Sequence, residues 1–243
     1  MAAALAVACL SATVVVGQSA IDVGPFSSAA PGGAFPVGWR ELDFPKIPRH
    51  TRYEMVKEAS EVVIRAISDG SASALVRPIR IDAKAYPVIT WRWKVENLIA
   101  KADSHTKAGD DYPARVYVTF EYDAKKLGFL ERAQFEAARL FYGEYPPTAA
   151  IDYIWDSREP VGTIIPNAYS SRSKMVVVES GAGKVGRWVT EERNLLEDYR
   201  SAFGDDPPLT SAVAIMTDSD NTGEAATAWY GDIAFEAKPP ATP

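Results

Sequence analysis

From residue 88 onward the chain repeatedly alternates apolar and polar side chains with a period of two. In Val88-Ile89-Thr90-Trp91-Arg92-Trp93-Lys94-Val95-Glu96, the residues Ile89, Trp91, Trp93 and Val95 share one parity. Thr90, Arg92, Lys94 and Glu96 share the other, which predicts a strand with one buried face. Residues 115–121 (RVYVTFE) repeat the pattern, with Val116, Val118 and Phe120 opposing Arg115, Tyr117 and Glu121. Further strands are predicted over residues 174–179 (KMVVVE), 213–217 (VAIMT) and 229–235 (WYGDIAF). In the last of these, alternation sets Tyr230 and Asp232 opposite Trp229, Ile233 and Phe235. Segments 61–67 and 75–81 flank Ser68-Asp69-Gly70-Ser71, a turn composition that predicts a hairpin.

Two segments depart from this texture. Residues 127–142 (LGFLERAQFEAARLFY) have helical spacing and stop at Gly143, ahead of Pro146 and Pro147. Residues 191–203 (EERNLLEDYRSAF) predict a second helix, capped by Thr190 and ended by Gly204. Many short strands, two helical excursions and no internal repeat predict an all-β fold, a jelly-roll-like antiparallel β-sandwich. The domain is placed at residues 39–238, after a linker or first strand at 21–38 and before a tail at 239–243.

The opening MAAALAVACLSATVVVGQSA, residues 1–20, has the apolar core of a secretory signal and ends near Gly17, Ser19 and Ala20, although no basic residue follows Met1. A buried N-terminal strand is the alternative. The signal reading places the mature chain in the periplasm or outside the cell. Cys9, the one cysteine, lies in this segment, so a mature chain would have neither thiol nor disulfide. At 47% hydrophobic and 24% charged residues the composition argues against disorder. A net charge of −6 argues against nucleic acid as a partner. After the N-terminal segment no stretch is apolar for the ~20 residues that a transmembrane helix needs.

The closing Trp229-Tyr230-Gly231-Asp232-Ile233-Ala234-Phe235, the early Phe35-Pro36-Val37-Gly38-Trp39 and the turn at 68–71 together resemble jelly-roll carbohydrate-binding modules of the galactose-binding type. More specifically, residues 39–236 resemble a bacterial family, domain of unknown function 3047. The segments carrying that likeness are Trp91-Arg92-Trp93-Lys94, Ala114-Arg115-Val116-Tyr117-Val118, residues 194–204 (NLLEDYRSAFG) and residues 215–232 (IMTDSDNTGEAATAWYGD). The resemblance implies a bacterial envelope protein and brings no activity or site residues with it.

Gly181-Ala182-Gly183-Lys184-Val185-Gly186 matches a dinucleotide-binding spacing, but the chain continues as another strand rather than a helix, so a glycine-rich turn is the better reading. In Asp218-Ser219-Asp220-Asn221-Thr222-Gly223-Glu224, oxygen-bearing side chains alternate before a glycine. Asp218, Asp220 and Glu224 are candidate Ca²⁺ ligands, set against an Asx-rich turn that caps its own backbone. His50 and His105 fall in polar loops outside any catalytic motif. Trp91 and Trp93 read as core, because Ile89 and Val95 share their face.

The polar faces are more informative. With the strands at 88–96, 115–121 and 229–235 in one sheet, Arg92, Lys94, Arg115, Tyr117, Tyr230 and Asp232 would form one surface, bordered by Asp152 and Trp155. Arginine's fork matches carboxylates and tyrosine offers a ring and a hydroxyl, which suits a polysaccharide or oligosaccharide, including an acidic one. A solvated face with cross-strand ion pairs, such as Arg115 with Asp232, is the alternative. A glycan-binding protein is the leading expectation. An enzyme on the same face, a polysaccharide lyase or hydrolase, is second, and a structural envelope protein is third.

Overall fold

The computed structural model describes residues 19–121 and 149–237. The helix expected over 127–142 lies outside them. Two sheets pack face to face. Sheet A runs β11 (Val189–Asn194), β6 (Val88–Val95), β13 (Ala225–Glu236), β4 (Glu61–Asp69) and β3 (Arg52–Glu58), with β1 (Ala20–Gly24) paired to the end of β13. Sheet B runs β2 (Arg40–Asp43), β5 (Ser73–Pro78), β12 (Thr210–Met216), β7 (Arg115–Phe120), β8 (Ala149–Asp156), β10 (Ser173–Ser180) and β9 (Ile164–Pro166). Successive strands keep changing sheets: β4, β6, β11 and β13 lie in A, while β5, β7, β10 and β12 lie in B. That alternation makes the sandwich jelly-roll-like. All pairs are antiparallel except β8 with β10, which are parallel because the chain passes to the sheet edge as β9 before returning.

Period-two alternation builds the core. On β6, Ile89, Trp91, Trp93 and Val95 are buried and the intervening residues are half-buried. Trp91 meets Tyr153 of β8 across the sandwich at 5.0 Å between ring centroids, and Trp93 meets Trp155 at 6.0 Å. Tyr230 lies in the same core, with its hydroxyl donating to the Met216 carbonyl at 2.6 Å.

The segments at 61–67 and 75–81 do not form a hairpin. β4 pairs with β3 and β13 in sheet A, whereas β5 pairs with β2 and β12 in sheet B. Ser68 explains the corner between them. Its hydroxyl is buried against Ser71 and Ser219, so the turn is held by the 218–223 loop rather than by strand pairing.

The one α-helix among the described residues, α1 (Leu195–Phe203), starts later than expected. Residues 189–194 pair with β6 as an edge strand. Asn194, not Thr190, caps the helix by accepting from the Glu197 amide at 3.2 Å, and Gly204 closes it at φ 76. Tyr199 packs on Phe120 at 4.6 Å and so anchors the helix to the core. No helix among the described residues is long and apolar enough to cross a membrane.

Candidate functional site

The three strands expected to share one polar face are divided between the sheets. Arg92 and Lys94 lie on the outer face of sheet A; Arg115 and Tyr117 lie on the outer face of sheet B. The last strand also breaks parity. Its register with β6 shifts between Tyr230 and Ile233, so Tyr230, Ile233 and Phe235 all face the core while Trp229 and Asp232 face out. Gly231 sits at the bulge because the Arg92 side chain lies where a Cβ would stand.

The outer face of sheet A is closed by its own side chains. Arg92 pairs with Glu61, Lys94 with Glu58, and Arg65 with Glu54 at 2.5 Å. Lys94 Nζ lies 4.1 Å from the Trp229 ring centroid, and the Arg92 guanidinium 4.6 Å from that of Trp188. Asp232 accepts from the Ser27 amide at 2.8 Å, far from Arg115. This face is a ladder of ion pairs and cation–π contacts, and a ligand would have to displace those partners.

Sheet B differs. Over β8 and β10 its outer face is covered by a small cluster of Tyr112, Ile154, Ile165, Met175 and Val177. Over β2, β5, β12 and β7 it is open, leaving a trough of about 1170 Å³. Alternation makes the floor, since Ala212, Ala214 and Met216 point out while Val213 and Ile215 point into the core. Small side chains at the centre of the sheet therefore make the hollow. Phe44, Tyr117 and Tyr169 supply rings along it, and Asp220, Asn221 and Arg40 supply polar groups.

Arg115 anchors the trough without presenting its charge. It is 2% exposed. Its Nε donates to Asp218 Oδ1 at 2.8 Å and its Nη2 pairs with Asp218 Oδ2. Nη2 also donates to the Asp110 carbonyl at 2.6 Å, and Nη1 donates to Tyr117 Oη at 2.8 Å. Beneath them lies Asp152, fully buried, with Arg115 Nη1 3.6 Å away and no hydrogen bond to either carboxylate oxygen. Burial pushes the Asp152 carboxyl up to about 7 against the opposing pull of Arg115. Burial likewise raises Asp218 and Tyr117 well above their ordinary ranges, with Arg115 opposing both. Three buried aspartates around one guanidinium make this a structural charge cluster. Trp155, expected to border the site, is in the core, with its indole N–H donating to the Gly181 carbonyl at 3.2 Å.

Of the candidate Ca²⁺ ligands, Asp218 and Asp220 are brought together with Asp111, while Glu224 turns away to accept from the amides of Ala100 and Lys101. Asp218 is held by Arg115, and Asp111 accepts from the amides of Asn221 and Thr222 at 3.2 and 2.6 Å. These bonds hold Asp218 and Asp111 within the protein, and Asp220 stands beside them as the third carboxylate of a group that could hold a cation. The glycine-rich stretch at 181–186 is a turn between β10 and β11, with no helix after it.

Strand parity could have revealed the floor, because Ala212 and Ala214 are unusually small for the middle of a strand. Tyr169, Asn221 and Phe44 carry no such signal, since they sit on loops and only the tertiary fold brings them to the trough.

Fold and site thus define a β-sandwich with one face sealed and the other hollowed. The chain belongs to the family described as Protein of unknown function (DUF3047), which it matches over residues 37–234. No curated protein matches it. Among solved structures it is similar to a mutant family 29 carbohydrate-binding module complexed with cellulohexaose, at 9% identity and a TM-score of 0.37, covering 90% of this chain and 92% of that one. The carbohydrate recognition domain of Emp47p is also similar, at 9% identity and a TM-score of 0.45, with 89% and 94% covered. The Endo-D glycoside hydrolase domain from Streptococcus pneumoniae R6 follows at 7% identity and a TM-score of 0.33, with 82% of this chain and 21% of that one covered.

Proposed function

We propose that this protein binds an uncharged glycan in the sheet B trough, outside the cytoplasm, to which the apolar segment at 1–20 would direct it. The observation that carries the reading is the trough itself: an open hollow with an apolar floor, ring-bearing walls and polar groups around it. Sugars offer apolar ring faces to aromatics and hydroxyls to carboxylates and amides, which is the chemistry that Tyr117, Tyr169, Asp220 and Asn221 provide. The acidic ligand suggested by Arg92, Lys94 and Arg115 loses its support, because all three cations are paired within the protein. Three cations and four carboxylates line the trough, a balance that does not favour an anion.

The test is an oligosaccharide array carrying neutral and uronate chains, repeated with Ala214→Trp. Ala214 stands between Val76 and Tyr117 on the floor, so an indole there should fill the trough and abolish binding while leaving the melting temperature nearly unchanged. Undiminished binding by that variant would move the site elsewhere.

A lyase is the second reading, favoured by Tyr117 Oη held at 2.8 Å by Arg115 on the trough floor. Burial keeps the Tyr117 proton on, so this hydroxyl suits donation rather than proton abstraction. Release of unsaturated product from a uronate polymer would establish that reading instead.

A further inference from the structure

We infer that the trough receives the end of a glycan chain rather than an internal stretch of it, an inference that rests on the glycan reading above. The argument begins with what stands at each end of the hollow. Where β7 begins and β12 finishes, at Arg115 and Met216, three loops converge and are tied to one another. Asn221 Nδ2 donates to Tyr169 Oη at 2.9 Å, and Tyr169 Oη donates to the Lys107 carbonyl at 3.1 Å. Asn167 accepts from the amides of Tyr169 and Ser170 at 2.9 and 3.2 Å, which fixes the turn that presents the tyrosine. Asp111 holds the Asn221 loop through two backbone amides. On the other side Phe44, Ile47 and Tyr117 pack against the small cluster of Ala72, Ala74 and Met216. The result is a cross-linked wall standing across the strand ends.

At the opposite end the described residues that line the hollow are strand-end side chains, among them Thr119, Glu121, Ser211 and Pro78. The ties there among the described residues, Arg80 with Glu121 and Thr119 Oγ1 with Ser211 Oγ at 2.7 Å, join neighbouring strand ends instead of standing across them. The trough is therefore blind at its Arg115 end.

The blind end also carries the groups that a terminal sugar would use. Tyr169 is 56% exposed, with Lys107 Nζ 5.3 Å from its ring centroid, and its hydroxyl is fixed at both a donor and an acceptor contact, so little side-chain entropy is lost when a sugar stacks on the ring's other face. Asp220 lines the trough beside it and is an acceptor for the vicinal hydroxyls of a terminal ring. A chain seated there would run back over the floor of Ala214 and Ala212. An internal segment would have to leave through the wall.

The test uses the intact protein with cello-, manno-, xylo- and malto-oligosaccharides, from disaccharide to hexasaccharide, and their parent polymers at several mean lengths. Chain-end recognition predicts that affinity levels off at short oligosaccharides. It also predicts that protein loaded per gram of polymer falls in inverse proportion to chain length. Chemical blocking of the recognised terminus should weaken binding at least about tenfold. Loading per gram that is independent of chain length would overturn the inference while leaving the glycan reading intact. If none of these saccharides and no uronate chain bound, both would fall. A paired variant, Tyr169→Phe with Asn221→Ala, unlinks the wall but keeps the ring. It should relax the terminal preference, and an unchanged preference would remove these two residues from its cause.

Discussion

Arg92 and Arg115 occupy equivalent places in the sequence pattern, each outward on a strand, yet their surroundings give them different weights. The Arg92 side chain is 30% exposed and bridges to Glu61, whereas that of Arg115 is 3% exposed among three aspartates. Arg115→Ala strands buried carboxylates and should cost about 3–5 kcal/mol in denaturant unfolding. Arg92→Ala should cost about 1 kcal/mol or less. Trp91→Ala, which empties a core site, should match the larger loss at about 3–5 kcal/mol. Equal losses for the two arginines would contradict the burial assigned to Arg115. Asp152 makes a second prediction. Its folded carboxyl titrates near 7, above its unfolded range, so the folded state keeps a proton that the unfolded chain gives up. That contribution is complete below about pH 4 and is lost as pH rises through about 7. Glu191 acts in the same direction, raised to about 7 by burial and by repulsion from Glu179. The melting temperature should therefore decline from about pH 5 to about pH 8, and Asp152→Asn should flatten the decline. An identical slope in the variant would assign the effect to other groups.

At the scale of elements, the bulge in β13 decides which side chains the last strand contributes to which face. Gly231 allows it, because Arg92 crosses the glycine to reach Glu61. Gly231→Ala should push Arg92 aside and cost about 1–3 kcal/mol. In an Arg92→Ala background that cost should shrink, and a double-mutant cycle measures the difference. A cost unchanged by removing Arg92 would point to the backbone instead. The same bulge marks the limit of what the sequence pattern conveys. Alternation identified β6, β7, β10, β12 and β13 and the inward set of Trp91, Trp93, Val116, Val118 and Phe120, because each strand buries one face on a common core. It misassigned Trp229 and Tyr230, since one extra residue inverts parity beyond it. It also missed β11, whose Glu191 and Arg193 read as the first turn of a helix. Sheet membership was not legible, because parity reports which side of a strand is buried and not which strand lies beside it. That gap separated Arg92 and Lys94 from Arg115 and Tyr117, and it hid a trough whose walls are loops.

For the whole molecule, the decisive feature is that an interior strand of each sheet comes late in the chain. β12 lies between β5 and β7 in sheet B, and β13 lies between β6 and β4 in sheet A. Deleting residues from 225 onward should therefore leave no cooperative unfolding transition at all, rather than a weakened one. A truncated chain that still melts sharply would show that sheet A can close without its middle strand. The order of synthesis follows from the same arrangement. While the ribosome is still adding residues before 210, β5 has no neighbour on the β7 side and β4 none on the β6 side, so the nascent chain has no finished sheet to settle into. Folding must wait for the final strands and then close many contacts between distant parts of the chain at once, which makes it slow. Until that moment only the early pairings, β3 with β4 and β7 through β10 among them, can form, and the rest of each sheet stays unjoined.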